Sequence, residues 1–313
     1  MGRDFAAIMS DKGAPGRAIV GSTSPNGLAK VARTDMADFA IVALDTAILS
    51  AKSDPNWIKR TPLVAALAPE TVEVVAPREV KSVSDLRGKN VSLGDPDSTT
   101  ATSARLLFSR LGVSVSGIYE PLTEGLAALS AGNRSAVVVL GAKEARALDD
   151  FGDDRKYHVV AIPWSSALET VYAPARVPSA ERPNLVAAGD SVETVAEPMA
   201  LVGLDAAPGS PRADSLGRLT QLYFESYDAF LSDNRDPHWR DINLAADALL
   251  DDAAWPRIGA AQAWLDERKT SADASLDAFR ASAKTAADAS GGPKAEDSDR
   301  LYDSLTRWRS LMQ

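Results

Sequence analysis

Short apolar runs rich in β-branched residues recur along the chain, with stretches of helical spacing between them, and this alternation limits the fold more than any other feature. The runs are "ADFAIVALDTAIL", "TPLVAALAP", "TVEVVAP", "NVSL", "SAVVVLG" and "YHVVAIP". Strand patterns interleaved with helix patterns define an α/β protein, and they predict parallel pairing over the first part of the chain. "TPLVAALAP" and "TVEVVAP" are expected to be two strands, the second closed by Pro77. Before them, Phe5, Ile8 and Met9 stand at helical spacing, "RAIVGST" predicts a short strand and "SPNGLAKVAR" a turn and helix.

The rhythm restarts at "SVSDLRGKNVSLGD". Val91 and Leu93 fit a strand, and Ala101, Ala104, Phe108 and Leu111 then recur at helical spacing until Gly112, a helix C-cap. Leu122, Leu126 and Leu129 predict a second helix that stops near Gly132. Residues 173–190 carry three prolines and little periodicity, so an extended connection is expected there, before the strand-like "SVETVAEPMALVGLD". From Asp214 onward the pattern is helical: Leu216, Leu219, Tyr223, Tyr227 and Phe230 share one face, and Ile258, Ala261 and Leu265 another. "SGGPKAEDSD" reads as a loop and "RLYDSLTRWRSLMQ" as a last amphipathic helix.

Composition removes several function classes. The 313 residues carry a net charge of −9, with Lys and Arg scattered, so no basic stripe for nucleic acid exists. No cysteine is present, which removes disulfides, thiolate chemistry and Cys-ligated zinc. The two histidines, His158 and His238, are too far apart for a His-x-x-x-His zinc helix. Neither a Gly-x-Ser-x-Gly elbow nor a phosphate-binding Gly-rich loop occurs, and "DDFGDDRK" lacks the spacing of a calcium loop. No catalytic residues, metal or cofactor are therefore expected. No run of about 18 apolar residues suits a membrane span. "MGRDFAAIMSDKGAPG" lacks the basic and apolar regions of a signal peptide.

The segments "ADFAIVALDTAIL", "SVSDLRGKNVSLGDPDSTTATSARLLFSRLGV", "GLAALSAGNRSAVVVLGA" and "YHVVAIPWSS", taken in order, resemble the solute-binding subunits of TAXI-type TRAP transporters, a branch of the type II periplasmic binding proteins. "NLVAAGDSVETVAEPMALVGLD" and "WPRIGAAQAWLDE" extend the likeness toward the C-terminus. Where that family usually has a Gly-Ser-Gly-Thr-like turn, this chain has Asp95-Pro96-Asp97-Ser98-Thr99. The resemblance implies a two-lobed fold, each lobe a mixed, mostly parallel sheet flanked by helices, with a helical C-terminal extension. Lobe 1 would comprise residues 1–86 and 194–313, lobe 2 the inserted residues 87–193, and the hinge would lie near Arg87 and Glu193. It implies a periplasmic, monomeric receptor, with an export signal further upstream, that captures a small polar solute and delivers it to a TRAP-type membrane transporter subunit. An enzyme on the same scaffold, or a sensory or scaffold module with a degenerate cleft, are the alternatives.

The candidate ligand residues each have a structural reading beside the functional one. Ser98, Thr99 and Thr100 can cap a helix, or expose its first N–H groups to an anion. Asp97 beside them would instead favour an amine if it faces the cleft. Ser22 and Thr23 end a predicted strand, where α/β sheets place ligands, or simply form a turn. Asp45, with Thr46 adjoining, follows a buried run and could receive a ligand amino group or cap the next helix. Gly141 ends "SAVVVLG" and allows close backbone approach. Trp164 and Ser165 could wall the cleft, or pack against the strand they follow. Tyr119 and Tyr172 are further aromatic candidates.

Overall fold

The computed structural model describes residues 1–19, 37–141, 146–152, 156–204, 209–242, 244 and 255–268. The strand expected at "RAIVGST" and the helix at "SPNGLAKVAR" fall wholly or largely outside those residues, as does the last amphipathic segment from Arg300. Two long strands organise the rest: β2, Leu63–Pro77, and β8, Ser191–Gly203. They pair antiparallel with each other and extend through the whole sheet, whose order is β1-β8-β2-β5-β3-β4. Here β1 is Phe39–Ala43, β3 Asn90–Ser92, β4 Ser116–Ile118 and β5 Ala136–Leu140. Two further strands, β6 (Tyr157–Val159) and β7 (Ala173–Pro178), pair with β2 and β8.

Among the described strands, parallel pairing is confined to β3 with β4 and β5, beside an isolated parallel bridge between Leu63 and Arg257; β1, β2, β5, β6, β7 and β8 otherwise pair antiparallel. This corrects the parallel alternation expected for the first part of the chain. The runs read as parallel because they are apolar on both faces, and that pattern reports burial rather than strand direction. In β8, Met199 and Leu201 enter one cluster while Ala200 and Val202 enter another. In β5, Ala136, Val138 and Leu140 face one cluster, Val137 and Val139 a second. A strand covered on both sides has no polar face to alternate.

The two strands expected at "TPLVAALAP" and "TVEVVAP" are one, running through Pro69. The register shifts between Leu67, opposite Met199, and Glu70, opposite Glu197, so β2 carries one residue more than β8 there. Such a bulge leaves a residue unpaired and can accept a proline that has no N–H to give. Pro198 lies on β8 at the same level. Residues 173–190 also depart from expectation, because β7 pairs along Ser191–Ala196 despite Pro174 and Pro178. Pro174 and Pro178 both stand on β7, which among the described strands pairs with β8 alone, so its other edge tolerates them.

Helices cover both halves. On one half, α1 (Gly2–Asp11) and α6 (Pro211–Glu225) bury Ile8, Met9, Leu216 and Tyr223 together with Phe230 and Trp239. The helical face expected from Leu216 to Phe230 breaks at Ser226 into a separate 3-10 turn, Tyr227–Leu231. Across the sheet, α2 (Leu44–Ser53) and the short α3 (Trp57–Arg60) pack around Trp57 and Trp255. On the other half, α4 (Thr99–Arg110) covers one face through Ala104, Leu107 and Phe108, and α5 (Leu122–Ser130) covers the opposite face through Leu126 and Leu129. Gly112 and Gly132, with φ of 65° and 75°, follow α4 and α5 in the left-handed region where glycine costs least. Among the described residues no helix is long and apolar enough to cross a membrane.

Candidate functional site

The start of α2 meets β8 beside the bulge and packs against α4, so three elements from both halves of the sheet converge. Asp45 and Thr46, in the first turn of α2, are fully buried there. Glu197 of β8, also fully buried, accepts the Asp45 backbone N–H on its Oε1 at 2.9 Å. A strand carboxyl thus satisfies a free N–H at the helix N-terminus, where the dipole favours negative charge. The Thr46 hydroxyl donates to Asp45 Oδ1 at 3.1 Å. Ser103 and Thr100 of α4 are buried on the neighbouring side. Tyr172, fully buried, donates its hydroxyl to the Ser103 carbonyl at 3.1 Å.

Two carboxyls so placed resist ionisation. Burial pushes the Asp45 carboxyl up, and the nearby Ser103 and Thr46 hydroxyls offset this only in part. Burial pushes Glu197 far above the usual carboxylate range, and the Asp45 charge adds to that rise. Glu70, opposite Glu197 across the β2–β8 ladder, contributes in the same direction. The Tyr172 phenol is raised as well, by burial first and then by the two carboxyls. Among the described residues, no Lys or Arg makes an ion pair with Asp45 or Glu197. No group of three His, Cys, Asp or Glu among the described residues is arranged to hold a metal.

The residues singled out from sequence fall into distinct places. Ser22 and Thr23 lie outside the described residues. Asp45 and Thr46 stand at the convergence point, with Tyr172 behind Ser103. Ser98 is the N-cap of α4: its hydroxyl accepts from Ala101 N–H at 3.0 Å and donates to the Asp95 carbonyl at 2.8 Å. Thr99 is half-buried and Thr100 buried, while Asp97 is exposed on the loop before the cap. Gly141, with φ 83°, allows close approach by Glu70: a Cβ there would stand 2.5 Å from Glu70 Oε2. Trp164 packs half-buried against the cluster under α4, while Ser165 and Tyr119 are exposed. The turn after Ser165 offers Ala167 O and Thr170 Oγ1 to Arg110, the last residue of α4 and the end remote from Ser98.

Glu197, Glu70 and Ser103 are not among the candidates that the sequence suggests. A signal exists for the two glutamates. Each interrupts an otherwise apolar strand run, "VAEPMALVG" and "ALAPETVEVV", and a charge inside a two-sided buried strand needs a partner. Ser103 carries no such mark, because a serine on a helix is ordinary.

The chain belongs to the NMT1-like family, whose model matches residues 2–262. Among solved structures it is similar to the periplasmic sulfonate-binding protein SsuA of a sulfonate ABC transporter from Methylobacillus flagellatus KT, at 17% identity and TM-score 0.45, covering 80% of this chain and 68% of that one. It is similar to an ancestral arginine-binding protein bound to arginine at 14% identity and TM-score 0.43, covering 80% and 84%. The periplasmic aliphatic sulphonate-binding protein SsuA from Escherichia coli matches at 11% identity and TM-score 0.41, covering 85% and 79%.

Proposed function

We propose that the chain is an extracytoplasmic solute-binding receptor that takes a small polar solute between two lobes and delivers it to a TRAP-type membrane transporter subunit. The observation that carries this reading is the convergence of the α2 N-terminus, α4 and β8 on a buried polar junction beside the bulge in the long strands. Polar groups buried at the meeting of two halves are costly unless something there uses them. The proposed lobes meet at the bulge, residues 1–69 with 198–313 against residues 70–197, in place of the bounds 1–86 with 194–313 and 87–193, since Val72, Val74, Ala76, Val83, Leu86 and Val195 pack in one cluster with Val91, Leu107 and Val138. Strands β3, β4, β5, β6 and β7 lie within the second, while α1, β1, α2 and α6 lie within the first. The bend between them is proposed at Pro69 and Pro198, inside the two long strands, in place of Arg87 and Glu193. Here α2 and α4 are already packed together; opening about that level would part them to admit the solute, and the cost of reclosing is offset by contacts that the solute makes only in the closed state.

Thermal melts of the full chain against panels of carboxylates, sulfonates, amino acids and amines test this reading. A stabilising solute that mass spectrometry recovers unchanged is the expected result. Chemical turnover of that solute would favour an enzyme, a reading that the Asp45–Glu197 pair makes specific, since paired carboxyls of different proton affinity serve as acid and base. Silence across all panels would favour a module without a working cleft.

A further inference from the structure

Resting on the receptor reading, we infer that the junction of Asp45, Glu197 and Ser103 is the subsite for a primary ammonium group of the solute. With both carboxyls ionised, three buried oxygens there have no hydrogen-bond partner among the described residues: Asp45 Oδ2, Glu197 Oε2 and Ser103 Oγ. The Ser103 hydroxyl lies against the Asp45 carboxyl and lowers its proton affinity, and the Asp45 and Glu197 carboxyls lie close enough for a shared proton to link them. The three oxygens come from α2, β8 and α4, so the set exists only where these elements meet. The protons that burial keeps on Asp45 and Glu197 answer part of the need for donors in the free protein, and a bound donor must answer it once they leave, because buried acceptors without donors are rare in folded proteins. An alkylammonium group carries three N–H donors and no acceptor, which matches three open oxygens in both number and polarity. Its charge also answers the electrostatics: Asp45, Glu197 and Glu70 are the ionisable groups of α2, β8 and β2 at this level. Thr46 and Ser103 are neutral, and the Tyr172 phenol stays protonated. Arg110 of α4 acts on Tyr172 but is engaged with Ala167 and Thr170.

An anionic solute group is disfavoured at the same place for a geometric reason. The α2 N–H that would receive it is already held by Glu197. A quaternary ammonium offers charge without donors, so it leaves all three oxygens unpaired. Entry of an ammonium group displaces the proton that the carboxyls otherwise keep, and binding releases protons to the medium.

Isothermal titration of the full chain with L-lysine, putrescine, choline and glutarate tests the inference, each titration run in two buffers of different ionisation enthalpy. The expected result is binding of lysine or putrescine with net proton release, and no binding of choline or glutarate. Glu197→Gln and Asp45→Asn, which keep shape and the helix cap, should each weaken the amine by tenfold or more. Ser103→Ala, the mildest change, should weaken it severalfold, and retains a test if the amide variants fold poorly. Equal amine affinity in all three variants would overturn the inference while leaving the receptor reading intact. So would binding of glutarate or choline in preference to the amines, or the same calorimetric response to potassium chloride. Binding of none of the probes would overturn it too, and the broader solute panels then decide the receptor reading separately.

Discussion

Glu197 Oε1 lies 2.9 Å from the backbone nitrogen of Asp45, so a carboxyl from the middle of a long strand caps the first turn of a helix. The same contact sets two buried carboxyls side by side without a basic partner among the described residues. Stability and binding at this point are both tied to protons.

The first prediction concerns pH. Asp45 and Glu197 hold their protons more tightly in the folded chain than at their ordinary values of 3.8 and 4.5. Their contribution to stability is therefore full below those values and is lost as pH rises toward the folded-state values. Chemical denaturation of the unliganded protein should show stability falling as pH rises above the ordinary carboxylate range, by up to about 1.4 kcal/mol per pH unit for each group. Glu197→Gln should flatten the slope. An equally steep slope in that variant would assign it to other groups.

Glu197→Ala should behave differently from Glu197→Gln. Glutamine keeps an oxygen for the Asp45 N–H, whereas alanine leaves that N–H unpaired in a buried place, at a cost of about 1–3 kcal/mol. Urea melts of the two variants under mildly acidic conditions, where the pair is protonated, separate the cap from the charge.

Arg182 forks onto buried Glu73, Nε to Oε2 at 3.0 Å and Nη2 to Oε1 at 2.9 Å, and ties the segment after β7 to β2. Burial raises the Glu73 carboxyl despite this partner. Arg182→Met leaves the carboxylate unpaired and should cost about 3–5 kcal/mol at neutral pH. The loss should shrink in acid, where Glu73 takes up a proton. Melts of the variant at both pH values check the difference.

Gly141→Ala should destabilise the chain by about 1–2 kcal/mol from its left-handed backbone alone. The added methyl would also meet the Glu70 carboxyl at 2.5 Å and push it from its place opposite Glu197. Calorimetric melting measures the loss, and an unchanged melting temperature would contradict this placement of Glu70.

Much of the element order was legible in the sequence. Gly112 and Gly132 mark helix ends because left-handed backbone selects glycine, and Ser98 begins α4 as hydroxyl caps do. The antiparallel pairing was not legible, since Val137 and Val139 look the same whichever way their neighbours run. Nor was the continuity of β2 through Pro69, which depends on a bulge set by its partner β8. At the candidate site, Asp45 stood out as a carboxylate after a buried run. Its relation to Glu197, 152 residues away, is created only by folding.

A crystal structure of the full chain with the most tightly bound primary amine tests the central claim most directly. The account predicts the amine nitrogen within about 3 Å of Asp45 Oδ2 and Glu197 Oε2, with the Asp45 N–H still held by Glu197. An amine seated elsewhere, with the three oxygens still unpaired, would contradict it.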